Sequence, residues 1–166
     1  MLAGPAAAQA ERITPDEFRL RINDAFGCRG MKLQLQPWVP SGMGPAVLKA
    51  AVTRNIAAIA EMDSDDRLSA VLFVMRTGRT LESVMQVVAT LAATTYAGNP
   101  ELSEADRLGL LDELGLFEQE WGQKGLAGTA VRNGVTYLVV HPGGDPLVIF
   151  LVSWPARREP SRERVL

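Results

Sequence analysis

Soft nucleophiles and metal ligands are nearly missing from this chain, which has one cysteine, Cys28, and one histidine, His141. A single cysteine excludes an intrachain disulfide, and one thiol with one imidazole provides no ligand set at zinc spacing. The lone thiol fits a reducing compartment without excluding the periplasm. Charge of one sign is lacking too. With 17 basic and 19 acidic residues the net charge is −2, so no global field favours nucleic acid or an anionic membrane. Three tryptophans and two tyrosines are too few for a carbohydrate-stacking platform. The most apolar helical stretch, residues 81–97, is too short for a membrane span and is interrupted by Glu82 and Gln86.

Catalytic motifs are missing as well. His141-Pro-Gly-Gly144 resembles an oxyanion loop, but no G-x-S-x-G nucleophile elbow accompanies it. Ser41-Gly-Met-Gly44 and the nearby Lys49 lack the Gly-Lys-Ser/Thr of a phosphate-binding loop. Asp63, Asp65 and Asp66 lack the spacing and distant glutamate of an EF-hand and read as a solvated turn. Nothing in the spacing of Cys28 and His141 brings them together as a nucleophile and base, and Cys28 stands at a helix C-terminus, the wrong end to lower a thiol pKa. Glu101, Glu104, Asp106, Asp112, Glu113, Glu118 and Glu120, with only Arg107 among them, read as a solvated acidic face. No catalytic residue, cofactor or metal is expected.

What is present is an ordinary globular composition. The 166 residues, 47% hydrophobic, form one domain that buries roughly 70% of its unfolded surface. Ala8-Gln9-Ala10 has the small-x-small pattern of a signal-peptidase site, although neither a basic region nor an apolar region precedes it. Residues 1–12 are thus a signal-peptide remnant or a disordered tail, residues 13–155 the domain, and 156–166 a flexible polar tail with alternating Arg and Glu. The first reading places the protein in the periplasm or outside the cell; a native N-terminus would leave it cytoplasmic.

Along the chain, Thr14, Pro15 and Glu17 form a capping box with proline at the first helical position. Phe18, Ile22, Ala25 and Phe26 make one apolar face, with Gly27 as the C-cap. Residues 31–36 alternate as a half-buried strand. Pro37, Pro40, Gly42, Gly44 and Pro45 force a loop in which Trp38 is exposed or folded back. Residues 46–62 fit a helix or two strands, 47–53 and 56–62, turning at Arg54-Asn55. The turn at Asp63–Asp66 and the β-rich run 67–75 favour the strands. Helices over 81–97, capped by Thr80, and 103–114, capped by Ser103, follow. The second helix directs Leu108, Leu111 and Leu114 inward and ends at Gly115. After a connector holding Phe117 and Trp121, strands 126–132, 135–141 and 147–154 form a meander. Asn133-Gly134 suits its type I′ turn, and Pro142–Asp145 makes the next. The fold class is α+β, an antiparallel sheet with an N-terminal helix and helices 81–97 and 103–114 on one face.

The run TPDEF with its following Arg and Asn, the strands ending in D–D–RL, the Leu/Val-rich helix, LSEADRLGLLDELGL and RNGVTYLVV together span most of residues 13–153. This pattern resembles small exported bacterial proteins of unassigned function. The resemblance implies a periplasmic or secreted α+β domain and carries over no active site. The order of elements is also similar to that of secretion-chaperone-like folds, which bind proteins, at the level of fold alone.

Two functional expectations follow. The first is a non-enzymatic protein-binding or assembly module of the cell envelope, acting through a sheet edge or face. It would take a protein partner or a second copy of itself, with Trp38, Phe117 and Trp121 as exposed apolar anchors. The second is a small-molecule or lipid binder with a cleft between helix 81–97 and the sheet, lined by Met62, Phe73, Met75 and Met85.

Overall fold

The structure is a computed structural model that describes residues 10–117 and 124–156. Expectations for residues 1–9, for Trp121 and for the tail from residue 157 lie outside the described residues.

Among the described residues three helices and seven strands follow in the order α1 (Pro15–Cys28), β1 (Val39–Pro40), β2 (Val47–Thr53), β3 (Ile56–Met62), β4 (Leu68–Arg76), α2 (Leu81–Gly98), α3 (Glu104–Glu113), β5 (Leu126–Arg132), β6 (Val135–His141) and β7 (Leu147–Ser153). The sheet is antiparallel in the order β1-β2-β3-β4-β7-β6-β5. It consists of two meanders joined along β4 and β7. Residues 46–62 are the hairpin, not a helix. Asn133 and Gly134 both have positive φ, 50° and 80°, the geometry that a type I′ turn demands.

Each helix start follows its cap. Thr14 accepts from the Glu17 N–H at 3.2 Å while Glu17 accepts from the Thr14 N–H at 2.7 Å. Thr80 and Ser103 cap α2 and α3 through the N–H groups of Ser83 and Asp106. The end of α1 differs from expectation. The helix passes through Gly27 to Cys28, and the positive-φ residue that closes it is Gly30, at 65°. Its Met31 N–H bonds to the Phe26 carbonyl at 3.0 Å.

The expected strand over 31–36 is not in the ladder. The alternation is real, for Leu33 and Leu35 are buried and Lys32, Gln34 and Gln36 exposed. Its backbone meets the sheet only at Gln36, whose N–H donates to the Ala51 carbonyl of β2 at 2.8 Å. Asn23 on α1 accepts from the Leu35 N–H at 2.7 Å and donates to the Leu35 carbonyl at 3.2 Å. A side chain has taken the place of a strand partner, and the ladder begins only at Val39–Pro40. In α3 the inward leucines are Leu110, Leu111 and Leu114, whereas Leu108 is 52% exposed.

Among the described residues, α1, α2 and α3 all lie on one face of the sheet and none lies on the other. Phe18 of α1 meets Phe73 of β4 and sets its ring edge-on to Trp154. The small residues of α2 let it lie close: a Cβ added at Gly98 would sit 3.2 Å from the Val152 side chain. Its buried hydroxyls are satisfied within the helix, with Thr90, Thr94 and Thr95 donating to the carbonyls of Gln86, Thr90 and Ala92. The core beneath is aromatic and aliphatic, with Phe73, Val139, Phe150, Val152 and Tyr137 fully buried. Burial pushes the Tyr137 hydroxyl well above its ordinary pKa. Among the described residues no helix is long and apolar enough to cross a membrane.

Candidate functional site

The strands show what the helices leave uncovered. Along β4, Leu68, Val71, Phe73 and Met75 are buried under the helices, and Ala70, Leu72 and Val74 point the other way. Along β7, Val148, Phe150 and Val152 are buried, and Leu147, Ile149 and Leu151 point the other way. A sheet with one face in water normally alternates apolar with polar residues. The two central strands here are largely apolar on both faces, as in strands covered on both sides.

Register assembles these outward residues into rows. One row runs Lys49, Ile59, Leu72, Leu151, Leu138, Thr129 from β2 to β5. The next runs Ala51, Ala57, Val74, Ile149, Val140, Ala127. On the other side of the first lies Val47, Glu61, Ala70, Ser153, Thr136, Val131. The centre is a continuous block of Ile59, Leu72, Val74, Ile149, Leu151, Leu138 and Val140, all partly exposed. Around it stand Lys49, Glu61, Arg76, Ser153, Thr136 and Thr129, interleaved with Ala51, Ala57, Ala70, Ala127 and Leu147. An aliphatic centre that gives way to charged and hydroxylic side chains at its margin has the anatomy of a protein interface.

The two sheet edges are unequal. β1 is a two-residue strand ending in proline, a protected edge. β5 presents seven residues whose one charge is the terminal Arg132.

Of the two anticipated anchors among the described residues, Trp38 and Phe117, only Phe117 is exposed. Trp38 is folded back: its indole N–H donates to the Pro15 carbonyl at 2.9 Å, and the half-buried ring packs against the core. Phe117 is 55% exposed and belongs to a cleft of about 240 Å³ between α2 and α3. Val84, Val87, Val88, Leu91, Leu111 and Leu116 also line that cleft. This cleft runs along α2 and reaches Thr77, the residue after β4, and none of the expected methionines lines it. Met75 and Phe73 are core residues, Met62 ends β3, and Met85 is 49% exposed.

The titratable groups have structural positions. Asp63 accepts from the Asp65 and Arg67 N–H groups at 2.9 and 3.0 Å, and its other oxygen takes the Arg12 guanidinium. Arg12 also donates to the Pro155 carbonyl, tying the segments that flank α1 and β7 to the β3–β4 turn. Burial raises the Asp63 carboxyl, but the hydrogen bonds from Arg67, Asp65 and Arg12 outweigh it and hold the pKa below the ordinary value. His141 is buried on β6 with Nδ1 2.7 Å from the Leu147 carbonyl oxygen. Cys28 is exposed at the end of α1, in a shallow depression with Asp24, Arg29 and Tyr96. His141 borders a different depression, with Thr77, Arg79 and Asp145. The structure does not bring the two together.

The helix-free face had a signal in the sequence that motif reading passes over. Val148 to Val152 is an unbroken apolar run within a strand, and an antiparallel strand with one wet face does not need one. No family model matches the chain, and neither a curated protein nor a solved structure is significantly similar to it.

Proposed function

We propose that this chain is a non-enzymatic protein-binding or assembly module that acts through the helix-free face of its sheet. The observation that carries the reading is the aliphatic block on β3, β4, β7 and β6, bounded by charged and hydroxylic residues. Contiguous apolar patches on a folded surface mark interaction sites, and this one spans four adjacent strands. The Ala8-Gln9-Ala10 pattern supports placing the module in the cell envelope.

The test compares tagged protein with a Leu72→Glu/Leu151→Glu variant in capture from the native extract. The reading expects protein chains, untagged copies of this one included, that the wild type retains and the variant loses. The same retained set on both, with the variant folded, would refute it.

A second reading draws on the α2–α3 cleft, whose lining is almost wholly aliphatic. It has room for a small apolar ligand such as a short acyl chain. Native mass spectrometry of the purified protein would show a bound mass that Val88→Glu abolishes. Bare protein from every source would remove this reading.

A further inference from the structure

We infer that the occupant of the helix-free face is a second copy of this chain, packed sheet against sheet across a two-fold axis. The inference rests on the preceding reading of that face and names its partner.

The first argument is area. An outward residue of a sheet covers about 33 Å², the product of strand spacing and the repeat of alternate residues. The roughly twenty outward positions of β2 to β7 therefore offer about 650 Å² per copy. Two copies would bury about 1,300 Å² between them, within the range of stable specific interfaces. The second argument is composition. The centre of the block is aliphatic with no charge, the composition found at the buried core of homodimer interfaces. The third is charge. A two-fold contact places one surface against itself, so a face of a single sign would repel its own copy. Here Lys49 and Arg76 share the rim with Glu61, and the charges leave the centre free. A membrane surface fits less well, because the outward rows hold no Trp, Tyr or Phe and no cluster of basic residues. Two twisted sheets packed in this way lie about 10 Å apart with strands within about 30° of each other, and the helices of both copies remain outside.

The experiment is sedimentation equilibrium of the full chain from about 1 to 100 µM, a range that spans ordinary dimer affinities, with Leu151→Lys and the milder Leu151→Thr alongside. The wild type is expected at twice the chain mass of 18.0 kDa. Leu151→Lys, with unchanged far-UV circular dichroism, is expected at the single mass, and Leu151→Thr should self-associate at least tenfold more weakly. If the lysine variant fails to fold, the threonine variant decides. A wild type at single mass throughout overturns the inference, as does a dimer that both variants leave intact, or a monomer that binds phosphatidylcholine vesicles. A monomer that still captures another protein through Leu72 and Leu151 overturns the dimer alone. A monomer that captures nothing overturns the dimer and the docking face together.

Discussion

Neighbouring residues on β7 face opposite ways, and this gives a quantitative test. Phe150 is fully buried, stacked on Tyr137 at 6.3 Å and paired across strands with Phe73 and Val139. Phe150→Ala leaves a cavity and should cost about 3–5 kcal/mol. Ile149 points to the helix-free face and is only partly covered. Ile149→Ala removes three carbons at about 0.8 kcal/mol each when wholly buried, so about 1.5 kcal/mol in a single copy, where the smaller part of the side chain meets water. With a second copy on the face the same side chain is wholly covered, and the cost should approach about 2–3 kcal/mol. Urea unfolding followed by circular dichroism at about 0.5 and 50 µM separates the two states, because mass action makes the stability of an assembly depend on concentration. The reasoning fails if both substitutions cost the same at the lower concentration. It fails also if the cost of Ile149→Ala does not change between the two.

Other consequences follow from single contacts. A Cβ at Gly128 would lie 2.6 Å from the Leu114 carbonyl oxygen, where α3 ends on β5. Gly128→Ala should cost about 2–3 kcal/mol in urea unfolding through strain and displaced packing, whereas Gly109→Ala on α3, with nothing within 4 Å, should gain about 0.5–1 kcal/mol. Asp63 has its folded-state pKa depressed, so its contribution is present above the unfolded value and is lost as pH falls through the folded one. Thermal unfolding should therefore decline below about pH 4, and Asp63→Asn should flatten that decline and lower stability at neutral pH. An undiminished acid slope in the variant would show that Asp63 does not carry it.

Local chemistry was the legible part of the fold. The Thr14 box, the Asn133-Gly134 turn and the caps at Thr80 and Ser103 depend on a few adjacent residues, and each lies where its pattern placed it. The six long strands are legible as alternation or, in β4 and β7, as nearly unbroken apolar runs. The short first strand was misplaced because Leu33 and Leu35 alternate in burial, while Asn23, twelve residues before Leu35, takes the hydrogen bonds of a strand partner. Periodicity reports which side chains are covered and not what the backbone bonds to. Leu108 and Leu110 both fit a plausible stripe on α3, and only the position of β5 decides between them. The site was less legible. Trp38 was singled out as large and apolar, but the Pro15 carbonyl draws its indole inward. The aliphatic face was hidden because its rows join residues from six strands, and no local window contains a row. Only the pairing of β4 with β7 places Leu72 beside Leu151.

The claim that the helix-free face is covered by a second copy is tested most directly at the face itself. Val140 stands in the second row, between Ile149 and Ala127, and a cysteine there nearly preserves its volume. In a Cys28→Ser background, which removes the exposed native thiol, the rate at which a maleimide labels Val140→Cys reports access to the face. The account predicts slow labelling at about 50 µM that quickens on dilution, as mass action releases the second copy. Labelling as fast as that of an unfolded control at every concentration, with the domain still folded, would contradict it.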